Sequence, residues 1–126
     1  MSSVEVVTAH LDRIAEVNPT INAVVRVLGE SALESAAKAD AATARGESLG
    51  AFHGVPFTIK ENIDVAGQAT TQGIPALAEA IPPQNAPVVD RMLASGAIPI
   101  GRTNLPDLGL RIHTDSTLYG RTKNPW

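Results

Sequence analysis

Gly54-Val55-Pro56-Phe57-Thr58-Ile59-Lys60-Glu61-Asn62-Ile63-Asp64 has the pattern of a buried strand and the turn that leaves it. Its centre is a near-continuous apolar run that ends in a lysine. Pro56 at the start argues against a helix, and the run suits a strand buried on both faces. A second run of the same kind, Ala97-Ile98-Pro99-Ile100, follows some forty residues later. Pro99 removes one ladder donor there, which counts against a central position in a sheet. Between the two, residues 87–94 read as a helix, with Pro87 tolerable in its first turn and Ser95-Gly96 ending it. From 56 to 104 the order is therefore strand, connection, helix, strand. Such a βαβ unit makes parallel strands through a right-handed crossover. Ligands in open α/β sheets sit beyond the carboxyl ends of the strands. Lys60 ends the first strand, and Thr103 and Asn104 lie just past the second. With the strands as neighbours, all three face one crevice.

Working outward, residues 2–17 read as a helix. Ser2 and Glu5 have capping-box spacing, and Val4, Val7, Leu11 and Ile14 make one apolar stripe. Asn18-Pro19 is the expected stop, because proline disfavours helical geometry in the residue before it. Ile21 to Leu28 is a short strand or an extended connection. Ser31 and Glu34 repeat the capping-box spacing and predict an Ala-rich helix to about Arg45, with Gly46 as its stop. Residues 66–86, rich in Gly, Thr, Pro, Gln and Ala, read as a long connection with one short helical turn. Leu105-Pro106-Asp107 is a candidate opening of another helix. No internal repeat or low-complexity tract interrupts the chain.

Composition narrows the function. The 126 residues suffice for one domain, with 44% hydrophobic but only 3% aromatic residues, so the core must be built of Ala, Val, Ile and Leu. Net charge is −3 and no basic block occurs. Neither nucleic acid nor an anionic membrane surface has an electrostatic counterpart here. The absence of cysteine excludes disulfides, thiolate catalysis and thiolate-bound metals. His10, His53 and His113 lack ligand spacing, so no metal site is expected, and His53 reads as a turn residue. Gly101 and Gly109 form no phosphate-loop pattern, and no cofactor is implied. No apolar run approaches the about 18 residues of a membrane helix, and the N-terminus does not resemble a signal peptide. The expected setting is the cytoplasm.

Lys60 is the first candidate for chemistry. On position alone it is a strand-end cation, paired loosely with Glu61 or Asp64. Desolvated in a crevice, its ammonium would be disfavoured, and the neutral amine could serve as a base near neutral pH. A serine hydroxyl needs such a base to become a nucleophile, and Ser–Lys pairs are a known variant of triad chemistry. Asp115-Ser116-Thr117 reads as a polar loop, at most lining a substrate channel. Thr103-Asn104 either hydrogen-bonds near the site or closes the strand in an Asx-type turn.

These residues resemble a family. The run from Gly54 to Gly67 is similar to the strand bearing the catalytic lysine in amidase-signature enzymes. Thr70-Thr71-Gln72-Gly73 resembles the loop that follows. Gly96 to Gly109 resembles the next strand and turn, and Tyr119-Gly120-Arg121-Thr122-Lys123-Asn124-Pro125-Trp126 resembles the approach to the glycine- and serine-rich signature. The resemblance covers nearly the whole chain, and the order and spacing of the motifs are specific. It implies an α/β fold, a mixed, mostly parallel sheet flanked by helices, and a Ser–cis-Ser–Lys triad. In that triad Lys60 acts through a bridging serine on a nucleophilic serine that attacks an amide carbonyl.

Only Lys60 carries over residue by residue, because both serines and the oxyanion hole belong to the segment expected after Trp126. Residues 1–126 would then be the N-terminal portion of one amidase domain, with 1–48 a helical segment and 49–126 the start of the catalytic core. The expected partner is a small-molecule amide substrate, together with the remainder of the polypeptide or a second copy in a homodimer. Expressed alone, the chain is expected to be aggregation-prone. A glutamine-handling subunit of a tRNA-dependent amidotransferase and a catalytically inactive fragment are the alternative readings.

Overall fold

Ser2 starts the first helix as expected. Its hydroxyl accepts from the Glu5 N–H at 3.1 Å, and the Glu5 carboxylate accepts from the Ser2 N–H at 2.6 Å. In the computed structural model, which describes all of residues 1–126, this helix, α1, runs from Ser3 to Ile21. It passes through Pro19 instead of ending before it. Pro19 sits in the exposed last turn, where a lost backbone bond costs least. The true stop is Asn22, left-handed at φ 56°. The Asn18 side chain receives the Ala23 and Val24 N–H groups at 2.9 and 2.8 Å, turning the chain into strand β1, Val24–Val27.

Helix α2 spans Gly29–Ala44. The Ser31–Glu34 capping box does not form. The N-cap is Leu28, three residues earlier, whose N–H donates to the Ile100 carbonyl at 3.0 Å, and the Ser31 hydroxyl donates to the Leu28 carbonyl instead. A tertiary bond to the sheet outranks the local cap. Ala32 and Ala36, almost without exposure, let α2 approach closely; with Val7, Ile98 and Ile100 they form the main core cluster, flanked by Val4, Leu11 and Ile14. Asp40 on α2 reaches across to α1, accepting from the Ser3 and Val4 N–H groups at 2.6 and 3.1 Å. These bonds, that to Ser3 foremost, hold its carboxyl below the usual carboxylate range.

Strand β2 is Pro56–Lys60, helix α3 is Pro87–Ala94 and strand β3 is Ile98–Thr103. β2 and β3 are parallel neighbours, so the βαβ unit forms as read. β1 joins the other edge of β3 antiparallel, giving the order β1-β3-β2 and a mixed sheet. Two expectations change. β3 is central despite Pro99, because the β2–β3 register slips next to it, between Phe57 and Thr58, and the pairing with β1 begins only at Gly101. A proline is accommodated where the ladder is already irregular. β2 in turn is an edge strand: Ile59 is buried, but Thr58 and Lys60 are exposed.

The connection after β2 contains one 3-10 turn, Pro75–Leu77. Residues 107–109 form a second 3-10 turn rather than a helix, since Leu108 turns left-handed at φ 53°. A small hairpin of β4, Asp115–Ser116, and β5, Gly120–Arg121, ends the chain. Gly96, at φ 87°, makes the turn from α3 into β3 and lies so close to His53 that a Cβ would stand 2.9 Å from its Cα. His53 is indeed a turn residue, its Nε2 within hydrogen-bonding distance of the Ala39 carbonyl and the Thr43 hydroxyl. No helix is long and apolar enough to cross a membrane.

Candidate active site

Parallel pairing sets Lys60 against Thr103 as cross-strand partners. Directly paired residues lie on the same face of a sheet, so the two stand side by side at the carboxyl ends of β2 and β3. The Lys60 side chain is exposed, and neither of its acidic neighbours pairs with it. Asn104 is buried and committed elsewhere. Its side-chain nitrogen donates to the Gly120 carbonyl at 2.9 Å and the Thr122 hydroxyl at 3.1 Å, and its side-chain oxygen accepts the Leu105 N–H. These bonds tie Asn104 to the residue after it and across to the hairpin. The structure therefore brings Lys60 and Thr103 together at the strand ends, while the Asn104 side chain is tied to the terminal hairpin.

Directly behind Lys60 lies a polar centre. Glu61 and Arg102, both with no exposure at all, approach to 3.4 Å between the Glu61 Oε1 and the Arg102 Nε. Neither atom has a hydrogen-bond partner, so the contact is one of charge and not of an aligned bond. The other Glu61 oxygen accepts the Thr71 hydroxyl at 2.7 Å and the Tyr119 hydroxyl at 3.3 Å. The Arg102 Nη2 donates to the Ile63 carbonyl at 2.9 Å and lies 3.4 Å from the Lys60 carbonyl, while the Nη1 reaches Gln68. Burial lowers the Arg102 pKa, and the Glu61 charge opposes that effect.

The chain of bonds closes on itself. Thr71 accepts the Gly73 N–H, the Gly73 carbonyl accepts the Ser116 hydroxyl at 2.7 Å, and Ser116 accepts the Leu118 and Tyr119 N–H groups. Tyr119 then returns to Glu61. Ser116, read as part of a polar loop, is a buried fastener in this ring. Sequence reasoning paired Glu61 loosely with Lys60 and passed over Arg102. The available signal was an arginine inside an apolar strand opposite a carboxylate one residue past the end of its neighbour.

Residues 5–126 match the family model described as "Amidase". The chain belongs to the amidase family. It is 50% identical over its whole length to an indoleacetamide hydrolase from Bradyrhizobium diazoefficiens and 43% identical to an acylamidase from Rhodococcus erythropolis. Over 99% of its length it is 38% identical to a glutamyl-tRNA(Gln) amidotransferase subunit from Thermosynechococcus vestitus. Among solved structures, a bacterial aryl acylamidase of the amidase-signature family superposes with a TM-score of 0.92 at 33% identity, over 99% of this chain and 26% of that one. The peptide amidase of Stenotrophomonas maltophilia gives 0.89 at 33%, over 99% of this chain and 27% of that one. The chain spans about a quarter of the length of these curated relatives, 24% to 26%.

Proposed function

We propose that the protein hydrolyses the C–N bond of a small carboxamide through a Ser–cis-Ser–Lys triad, of which residues 1–126 supply the lysine. The observation that carries this reading is the placement of Lys60, exposed at the carboxyl end of β2 and registered beside Thr103. In the proposed reaction the Lys60 amine takes a proton through the bridging serine, and the nucleophilic serine adds to the amide carbonyl. Collapse of the tetrahedral adduct expels the amine with a returned proton, and water then hydrolyses the acyl-enzyme. Thr103 and Asn104 complete the near wall of the substrate crevice. Residues 1–48 brace the sheet, chiefly through α1, α2 and β1, and residues 49–126 begin the catalytic core. The serines belong to sequence outside these residues, so residues 1–126 by themselves are inactive in this proposal. The whole enzyme is cytoplasmic, its remaining chain or a second copy covering the open apolar faces.

The 50% identity to an indoleacetamide hydrolase, against 38% to an amidotransferase subunit, favours hydrolysis of a free carboxamide over transfer of ammonia to a partner. The test is ammonia release from a panel of primary carboxamides by a polypeptide spanning the full length of the relatives. Release without any partner protein supports the hydrolase. Release from glutamine alone, dependent on a partner protein and charged tRNA, would replace it with the amidotransferase reading.

A further inference from the structure

Within residues 1–126 the Lys60 side chain makes no hydrogen bond or ion pair, so among these residues its position is set by its backbone. That backbone is gripped from several sides. The Glu61 N–H donates to the Thr103 carbonyl at 3.0 Å, the Ile63 N–H donates to the Lys60 carbonyl at 3.0 Å, and the Arg102 guanidinium spans the carbonyls of Lys60 and Ile63. Successive side chains of a strand point to opposite faces. Anchoring Glu61 inward thus turns Lys60 outward, and a slip by one residue would bury the lysine and expose the carboxylate. Glu61 is anchored by groups from three separate parts of the chain: Arg102 on β3, Thr71 in the connection after β2, and Tyr119 in the terminal hairpin.

Stability alone does not account for so polar a centre. A buried ion pair replaced by apolar residues of similar volume often leaves stability unchanged or improves it. Apolar contacts are non-directional, whereas hydrogen bonds fix orientation. We infer that Arg102 and Glu61 are positioning residues for Lys60, holding the β2 end and its following turn in the one register that presents the lysine to the crevice. The inference rests on the reading of Lys60 as the catalytic base. A displacement of about 1 Å at a reacting group can cost about 100-fold in rate, so loosening this anchor reaches the chemistry without touching the substrate.

The test uses the full-length enzyme and kcat per titrated active site, so that loss of folded protein does not count as loss of rate. In Glu61→Leu/Arg102→Met the charges are replaced together by apolar side chains. The expected result is a melting temperature near wild type, KM within about twofold, and kcat lowered at least about tenfold. Wild-type kcat per site in the folded double variant would overturn the proposal. Thr71→Val and Tyr119→Phe each remove one hydroxyl from Glu61 and cover the case in which the double variant does not fold. Each should lower kcat severalfold with KM unchanged, and unchanged kcat in both would also overturn it. Arg102→Lys, which keeps the charge and part of the bonding, should recover more kcat than Arg102→Met. Lys60→Ala separates the two layers of the argument. Full activity in that variant removes the base reading and the inference with it. An inactive Lys60→Ala beside a fully active double variant removes the positioning role alone.

Discussion

Arg102→Met makes the energetic claim about the buried centre measurable. The substitution keeps much of the side-chain volume and removes the guanidinium. Glu61, with no exposure, then keeps only the hydroxyls of Thr71 and Tyr119, and the Ile63 carbonyl loses its 2.9 Å donor. Removing one partner of a buried ion pair leaves an uncompensated charge and costs about 3–5 kcal/mol. Single domains have about 5–15 kcal/mol in all, so the variant should lose a large share of its stability. Urea unfolding followed by circular dichroism gives the number from the shift in midpoint at constant slope. Glu61→Leu added to Arg102→Met should return most of the loss, because the stranded charge is then gone. A loss below about 1 kcal/mol in the single variant would refute the reasoning, since that is the value of an exposed pair.

Two further outcomes follow from other parts of the fold. The Asp40 carboxylate is stabilised in the folded state by the Ser3 and Val4 N–H groups, so its contribution is full above the unfolded Asp value of about 3.9. It is lost as pH falls through the lower folded value. Asp40→Asn should therefore lower the melting temperature at pH 7, and its difference from wild type should vanish by about pH 2; a constant difference would contradict the cap. At Gly101 an added Cβ would stand 2.7 Å from the Val24 side chain and 3.0 Å from the Arg26 carbonyl. Gly101→Val should cost about 1–3 kcal/mol and strip hydrogen-exchange protection from β1, and retained protection there would show that β1 does not pack as described.

How much of this was legible in the sequence depended on whether a feature was local. The Ser2–Glu5 cap, the stripe on α1, the Pro87 start of α3 and the stop at Gly46 are set within a few residues, and each forms where the pattern puts it. The parallel βαβ unit was legible because crossover handedness leaves few alternatives. Where tertiary contacts decide, local signals misled. Asn18-Pro19 and Ser31–Glu34 obey local rules, but Asn22 and the bond from Leu28 to Ile100 set the actual boundaries. β2 has the composition of a doubly buried strand while one of its faces stays open among these residues. The chain spans about a quarter of the length of its curated relatives, and in the proposed reading the remaining chain covers that face. Other apolar surface is likewise open: Phe52, Val55 and Val88 are each about half exposed. The place of Lys60 and Thr103 at paired strand ends was legible because strand ends are readable. The Glu61–Arg102 centre was not, because its partners come from positions up to 58 residues apart.

Whether Lys60 is the base of an amide hydrolase is decided by kcat/KM of Lys60→Ala in the full-length protein. The side chain is exposed and makes no bond within these residues, so its removal should leave the melting temperature and the circular dichroism spectrum as they are. A positioned base contributes about 10²–10⁴-fold to the rate, and kcat/KM for carboxamide hydrolysis should fall by at least that much. Wild-type kcat/KM in a folded Lys60→Ala protein would contradict the account.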